Sequence, residues 1–284
     1  MRGGLTRAPN RHAAALVAKL PPQETQEPVV ESPHSRRALL AWLLSWLLLA
    51  GARAGQAADF GSNLTVGGDL AVTSDYIYRG VSESNGHAAV QADLHAQSGA
   101  SFFGVWSSTR DHTLDPYADY DLELYAGHRF ELSGAWGATL SAHSHYWIGG
   151  AQEDGSADYQ EVIGALSYLD LWTFSVGAIP NAVHYWFDER VGRSLAWFGE
   201  TSGQWLVLGE GLFVTAGAGY YHANGTGPAI RAGGAYAYGN AGVAFEHRRW
   251  RVDVGYFRAQ DSARRLLPYP IPSDRFAGTL SWRF

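Results

Sequence analysis

The residues with the clearest potential for chemistry lie in the segment Ser141-Ala142-His143-Ser144-His145. In an extended strand His143 and His145 project from one face about 7 Å apart, and Glu161 is expected on the adjoining strand. These residue types fit a divalent metal site or a serine activated by histidine for ester hydrolysis. No strand offers a clear third member of a triad. We therefore interpret both histidines as ordinary polar residues and predict no catalytic residue, no metal, no cofactor and no enzymatic activity.

The composition narrows the class of protein. The chain has 284 residues, a net charge of −6 and no cysteine. The lack of a basic excess argues against a nucleic-acid partner, and the lack of cysteine excludes disulfides and zinc–thiolate sites. Charged residues make up 17% of the chain, whereas a soluble domain carries about 25%. Low charge with many aromatic residues is typical of a β-barrel in lipid, because half of each strand then faces hydrocarbon.

The N-terminal region has the features of an export signal. An apolar run over residues 38–50 follows Arg36-Arg37 and precedes the small residues of Ala52-Arg53-Ala54. The run is shorter than the roughly 20 residues that span a bilayer, so a signal peptide over residues 36–57 is favoured over an uncleaved anchor. Residues 1–35 have the composition of a disordered tail, or reflect a mis-called translation start, since Met1 is the only methionine.

Beyond residue 63 apolar and polar residues alternate, and the breaks between these runs alternate as well. Short breaks fall at residues 98–100, 132–134, 169–171, 209–211 and 248–249, and long polar breaks at 80–87, 111–118, 149–157, 185–193, 223–235 and 261–273. Such breaks separate twelve strands, with short turns at one rim and long loops at the other. We predict an all-β fold over residues 58–284: a transmembrane antiparallel β-barrel of about 12 strands, with short periplasmic turns and long extracellular loops.

The last strand carries the same signal to the final residue. Phe276, Gly278, Leu280, Trp282 and Phe284 share one face of it, and small or charged residues occupy the other. An amphipathic strand that ends on a C-terminal aromatic residue resembles the closing strand of a bacterial outer-membrane barrel. The partners expected on this basis are outer-membrane lipid and, through the Phe284 strand, the barrel-assembly machinery.

Aromatic residues cluster near both kinds of break. We predict a membrane belt beside the short turns, formed by Trp136, Trp172, Trp250, Trp282 and Phe284. A second group lies near the long loops and contains Tyr76, Tyr78, Trp106, Tyr120, Tyr146, Tyr220 and Tyr256. Tryptophan and tyrosine prefer the headgroup region of a bilayer. Two belts around an aliphatic band indicate a membrane barrel rather than a soluble one.

Charged residues on the opposite faces are expected to line the interior, because charges facing mid-bilayer lipid cost about 2–4 kcal/mol each. The predicted pore-lining residues are Asp69, Asp75, Arg79, Asp93, His95, Asp121, Glu123, Arg129, His143, His145, Glu161, Arg251, Asp253 and Arg283. Acidic residues outnumber arginines among them, which favours a weak cation preference. Acids and arginines pairing across the interior would instead plug it, and both alternatives stay open.

Arg79 has two interpretations of its own. It is expected on one face of the first strand together with Asp69 and Asp75, and these three residues could pair with Asp93 or Arg283 on the neighbouring strands. Arg79 could hold an anionic group at the pore mouth, or tie the strand end to the first long loop. We favour the structural role.

The stretch Ser74-Asp75-Tyr76-Ile77-Tyr78-Arg79-Gly80 resembles the strand end that opens the TorF-like family of putative porins. Further matches are Gly104-Val105-Trp106-Ser107-Ser108, Glu123-Leu124-Tyr125-Ala126-Gly127 and Asp158-Tyr159-Gln160-Glu161. The resemblance runs over residues 63–284 and is strongest before residue 161, although Tyr146 is not followed by the usual proline and Glu123 replaces an aspartate. It implies an outer-membrane barrel with a presumed transport role.

The function we predict is passive diffusion of small hydrophilic solutes across the outer membrane of a Gram-negative bacterium. The alternative is a closed structural or adhesion barrel that acts through its long loops. The serine and histidines of the 141–145 segment leave an outer-membrane hydrolase as the least favoured reading.

Overall fold

The structure, a computed structural model, describes residues 58–59, 64–111, 118–149, 158–169, 171–186, 189–209, 211–225, 233–266, 271–272 and 274–284. All of them belong to one compact unit, Pro33–Phe284. The predicted signal peptide and the predicted tail before it lie outside the described residues. Among the described residues, no helix has the length and apolar character needed to cross a bilayer.

Nearly all described residues are in strands. These are β1 (Ala58–Asp59), β2 (Leu64–Thr73), β3 (Ile77–Tyr78), β4 (Val81–Ser82), β5 (Ala89–Ser98), β6 (Ser101–Thr109), β7 (Ala118–Glu131), β8 (Trp136–Gly149), β9 (Tyr159–Tyr168), β10 (Trp172–Trp186), β11 (Glu189–Leu208), β12 (Leu212–Ala223), β13 (Gly234–His247), β14 (Trp250–Ala259), β15 (Ile271–Pro272) and β16 (Asp274–Arg283). One helical turn, Ala263–Leu266, precedes β15.

Twelve of these strands close into an antiparallel barrel, as the sequence predicted. Strands β5 to β14 pair with one another in chain order. The barrel closes because β14 pairs with β16 and β2 pairs with both β5 and β16. Thr73 lies opposite Ala89 on one side and Thr279 on the other. The short strand β1 pairs with β2 beyond the end of β16. Closure leaves no long unpaired edge.

In length, the breaks between strands follow the predicted alternation of short and long with one exception. The connections β5–β6, β7–β8, β9–β10, β11–β12 and β13–β14 are short, whereas most of the others are long. The long polar loop predicted over residues 185–193 is wrong, because β10 continues to Trp186 and β11 begins at Glu189, with these two residues paired. Polar residues continue a strand when the neighbouring strand supplies backbone partners, here with register shifts near Ile179 and His184.

The two faces of the barrel wall differ in chemistry. The outer face exposes large apolar side chains, including Val72, Val90, Leu124, Leu140, Val176, Val214, Val243, Val254 and Leu280. Val176 is the most exposed of these, at 67%. The residues between them along each strand project into the interior and are mostly polar or glycine. This arrangement is the reverse of a soluble barrel, which buries its apolar face.

The connection between β2 and β5 does not form an external loop. Residues 74–88, called the inner segment below, fold into the interior of the barrel, where Asp75, Tyr76, Val81 and Ser82 are buried. Within the segment β3 pairs with β4, and β4 also pairs with β15, so these strands form a separate sheet. The expectation that residues 80–87 form a long external break is therefore wrong. The polar residues of this segment match those of an external loop because the interior that they face is polar as well.

Candidate lumen site

A tight turn forms the tip of the inner segment. Tyr78 lies opposite Val81, and the two residues between them, Arg79 and Gly80, have φ angles of 46° and 78°. A two-residue hairpin turn with positive φ at both positions fits the twist of the flanking strands. Gly80 is also required sterically, since a Cβ atom there would lie 2.4 Å from Cβ of Tyr238 on the barrel wall.

Arg79 projects from this tip to the opposite wall. Its Nη2 donates a hydrogen bond of 2.8 Å to Oε2 of Glu161 on β9. Its guanidinium carbon lies 3.5 Å from the ring centroid of Phe198 and 4.6 Å from that of Tyr78. The side chains of Arg79 and Glu161 are only 7% and 2% exposed. Arg79 therefore belongs to a segment that crosses the interior, and the predicted placement of Arg79 on the wall formed by the first strand is wrong.

Asp75 is buried at the base of the same segment. Its Oδ1 accepts hydrogen bonds from Oγ of Ser82 at 2.5 Å, Oγ of Ser84 at 3.0 Å and the backbone N–H of Gly86 at 3.2 Å. Its Oδ2 lies 3.5 Å from Nη1 of Arg275 on β16. The predicted pairing of Asp75 with Asp93 or Arg283 is wrong, because β2 ends at Thr73 and the chain turns inward there.

His145 lies behind the Arg79–Glu161 pair on the wall. Its ring stacks on Tyr159, with the ring centroids 4.3 Å apart and an interplanar angle of 10°. Its Nε2 lies 3.3 Å from Oε1 of Glu161, and its Nδ1 lies 3.8 Å from Asp121 and 3.9 Å from Glu123. From β8, His145 thus links three carboxylates on the two neighbouring strands, β7 and β9.

Tyr76 extends this network to the far side of the inner segment. Its hydroxyl donates a hydrogen bond of 3.0 Å to Oδ2 of Asp121. Burial raises the pKa of the Tyr76 phenol well above its usual range, and the Asp121 and Glu83 carboxylates add to the shift, so the hydroxyl stays neutral and donates. Its ring lies 5.4 Å from that of Trp106.

Several of these inward residues were predicted from the sequence to lie in the outer aromatic belt, or were not singled out. Tyr76, Tyr78 and Trp106 were placed in the belt near the long loops, yet all three face the interior. Glu83 and Arg110, which form an ion pair of 2.6 Å, were not singled out at all. The guanidinium of Arg110 also lies 4.2 Å from the Trp147 ring. The one sequence signal for this cluster was the concentration of charge and aromatic residues around Tyr78-Arg79-Gly80.

The segment with catalytic residue types has an ordered geometry. Oγ of Ser141 lies 2.8 Å from Nε2 of His143, and Nδ1 of His143 lies 2.5 Å from Oε1 of Glu123. The structure therefore supplies Glu123 as the third member that the sequence did not reveal. His145, by contrast, hydrogen-bonds Glu161, so the two histidines point to different carboxylates. Within the described ranges, no group of three or more His, Cys, Asp and Glu side chains has metal-binding geometry.

The half of the interior nearer the short turns holds further polar clusters. On one wall Asp93 accepts from Tyr125 at 2.6 Å and lies 2.6 Å from Nδ1 of His95, while Asp69 pairs in register with Arg283. On the other wall Arg251 contacts Asp253 at 2.7 Å and Glu246 at 2.6 Å. Beside Arg251 is a cavity of about 380 Å³, whose polar lining includes Thr173, Ser202, Gln204, Asn240 and Asp253.

The remaining predicted residues lie at the short-turn rim. Arg129 is exposed on the inward face, where its guanidinium lies 5.3 Å from the Phe102 ring. The belt residues lie on the outer side as neighbouring pairs: Trp136 is 4.8 Å from Tyr168, Trp172 is 5.0 Å from Trp205, Trp250 is 6.5 Å from Trp282, and Trp282 is 5.2 Å from Phe284. These distances are between ring centroids.

The described residues define a closed β-barrel with an apolar exterior and a polar lumen, which the hairpin of the inner segment crosses. Residues 57–224 match the model of a family described as bacterial protein of unknown function (Gcw_chp), and the chain belongs to that family. No curated protein matches the sequence.

Similar solved structures include outer-membrane channels. The NanC porin is 10% identical, with a TM-score of 0.46 over 76% of this chain and 97% of that one. The KdgM porin is also 10% identical, with a TM-score of 0.42 over 77% and 98%. A channel from Pseudomonas putida F1 is 11% identical, with a TM-score of 0.42 over 81% and 97%. Similarities of this size carry no argument about function.

Proposed function

We propose that this protein is an outer-membrane, porin-like channel for passive diffusion of small hydrophilic solutes. One observation carries the proposal: the closed barrel exposes its apolar side chains outward and keeps its ionisable side chains inside. In water the exposed apolar area would far exceed the patches of a few hundred Å² that soluble monomers show. In a bilayer the same surface contacts hydrocarbon, and the charged interior stays hydrated.

The lumen chemistry supports a polar solute. The cavity of about 380 Å³ at the short-turn half has hydroxyl, amide and charged groups in its lining, from Thr173, Ser202, Gln204, Asn240, Arg251 and Asp253. Carboxylates outnumber guanidinium groups on the inward faces of the strands, with Asp69, Asp93, Asp121, Glu123, Glu161, Glu200, Glu246 and Asp253 set against Arg129, Arg251, Arg275 and Arg283. A surplus of acidic groups concentrates cations in a pore, so a weak cation preference forms part of the proposal.

The same proposal includes the compartment and partners predicted from the sequence. The outer membrane supplies the lipid around the barrel, and the strand ending at Phe284 provides the recognition element for assembly machinery. The resemblance to the TorF-like porins, through Asp75, Tyr76, Arg79 and Gly80, supports a transport role. The proposal assigns no enzymatic activity and no cofactor.

A closed structural or adhesion barrel is the second candidate, and the inner segment favours it. This segment places buried side chains across the lumen and contacts β7, β9, β11, β13 and β14. A lumen that stays blocked passes no solute, and function would then rest on the long loops.

Planar-bilayer recording of the purified protein separates the two candidates. Discrete conductance steps with a reversal potential on the cation side support the channel, whereas repeated absence of steps supports the closed barrel. Liposome swelling with sugars, amino acids and ions of increasing size then identifies the solutes. A polypeptide that is monodisperse without detergent contradicts both candidates.

A further inference from the structure

The strands of the inner segment form their backbone pairs outside the barrel sheet. Its strand β4 pairs with β3 on one side and with β15 on the other, separately from the barrel sheet. Thr73 and Ala89, which flank the segment, pair directly with each other, so the ladder between β2 and β5 closes without it. The backbone bond from the Ser74 N–H to the Gly278 carbonyl, 2.8 Å long, lies at the base of the segment. Moving residues 75–87 would therefore break no β2–β5 rung.

Side-chain contacts hold the segment against the wall. Arg79 bonds Glu161, Glu83 pairs with Arg110, and the Tyr76 hydroxyl bonds Asp121. Apolar contacts add to these, because Val81 packs in a cluster with Tyr236, Ala259 and Ala263 and the ring of Tyr76 lies 5.4 Å from that of Trp106. Charged groups that separate in a wet lumen regain water, and this hydration offsets much of the lost pairing. The closed position is therefore held by a balance of opposing contributions.

We infer that the inner segment is a gate, with the Arg79–Glu161 pair as its latch, an inference that rests on the proposed channel function. In the closed position the hairpin tip contacts β9 and β11 and narrows the lumen. In the open position residues 75–87 swing about their ends at Ser74 and Ala88, and Glu161 lines a wider path. The latch sets the fraction of time spent in each conducting level.

The first test removes the gate. Because Thr73 and Ala89 are register partners, a two-residue Asn-Gly turn replacing residues 74–88 joins β2 to β5 as an ordinary hairpin. We expect this variant to fold, shown by heat-modifiable migration in gels, and to conduct several-fold more than the wild type. It should also admit larger sugars in liposome swelling. A folded variant with wild-type conductance would overturn the gate.

The second test closes the gate covalently. Because the chain has no cysteine, a thiol reagent reacts only at the introduced positions. The double variant Arg79→Cys, Glu161→Cys loses the latch but allows a reducible bifunctional thiol reagent to bridge the two positions. We expect more time in the high-conductance level without the bridge, the low level with it, and recovery on reduction. Each single-cysteine variant with the same reagent is the matched control, and the charge swap Arg79→Glu, Glu161→Arg should restore wild-type gating.

The outcomes separate the gate from the channel. If the conductance is the same with and without a bridge that mass spectrometry verifies, the gate is contradicted and the proposed channel function is unaffected. If no folded form conducts, including the variant with the Asn-Gly turn, the proposed channel function is contradicted.

Discussion

Arg79 and Glu161 lie 82 positions apart in the chain, yet they form an ion pair of 2.8 Å inside the barrel. Arg79 stands at the tip of a hairpin that enters the lumen from the end of β2, and Glu161 stands on β9. Since both side chains are almost fully buried, Arg79 depends on Glu161 for compensation of its charge, while Glu161 also contacts His145. This pair joins the inner segment to the wall.

Replacing Glu161 by Gln is expected to destabilise the closed barrel, because it leaves Arg79 buried without a counter-charge. Loss of one partner of a buried pair costs up to about 3–5 kcal/mol. The measurement is the temperature at which the folded form is lost in heat-modifiability gels. Glu131→Gln at the exposed short-turn rim is the matched control, expected within about 0.5 kcal/mol of wild type. Equal effects of both changes would contradict the role assigned to the pair.

Gly80→Ala and Gly86→Ala form a second matched comparison. Both glycines lie in the inner segment at positive φ, 78° and 74°, so both changes carry a backbone cost of about 1–2 kcal/mol. A Cβ at Gly80 meets Cβ of Tyr238 at 2.4 Å, whereas a Cβ at Gly86 meets the mobile end of the Arg275 side chain. We expect Gly80→Ala to lower stability more and to raise conductance. Indistinguishable variants would show that the tip does not press on the wall.

Substituting arginine on each face of β10 tests which side of the wall contacts lipid. Val176 is 67% exposed on the outer face, and its neighbour Ser175 faces inward, 3.4 Å from Glu200. Val176→Arg should cost about 2–4 kcal/mol in a bilayer, while Ser175→Arg gains a carboxylate partner and should fold nearly normally. Folding yield into liposomes measures the difference. A larger loss from the inward substitution would reverse the orientation of the barrel.

The ion selectivity of the pore should depend on the acidic residues in the middle of β5 and β7. Asp93 and Glu123 face the lumen there, and each also contacts a histidine. Asp93→Asn with Glu123→Gln removes two negative charges, so the reversal potential in a salt gradient should move toward anion preference. Asp119→Asn, at the long-loop end of β7, provides a comparison at a different depth of the same wall. An unchanged reversal potential would place the selectivity elsewhere.

The Ser141–His143–Glu123 row is expected to be inactive in ester hydrolysis. A Ser–His–carboxylate row also needs donors for the oxyanion, and the backbone N–H groups around Ser141 lie in strands paired on both sides. Wild type and Ser141→Ala should therefore release p-nitrophenol from p-nitrophenyl acetate at equal background rates. A wild-type rate at least tenfold above that of the variant would assign this row a catalytic role.

Much of the barrel could be predicted because its determinants are local. Alternation in segments such as Asp121-Leu122-Glu123-Leu124 has the two-residue period of a strand, and the short turns at residues 98–100 and 248–249 interrupt it visibly. The predictions that are wrong concern residues whose local pattern suits two environments. Residues 80–87 are polar enough for an external loop, and they are equally suited to a polar lumen. The hydroxyls of Tyr76 and Tyr78 bond carboxylates in that lumen rather than lipid headgroups, and the Trp106 ring packs beside Tyr76 there.

The sequence by itself determined the number of strands and which face of each strand is apolar, because the pleat repeats every two residues and turn residues mark its ends. Only the tertiary structure decided that residues 74–88 turn inward, that Arg79 meets Glu161 and that Glu123 completes the row with Ser141 and His143. Those contacts join positions on different strands, and their distances depend on how the barrel closes. No local pattern carries that information.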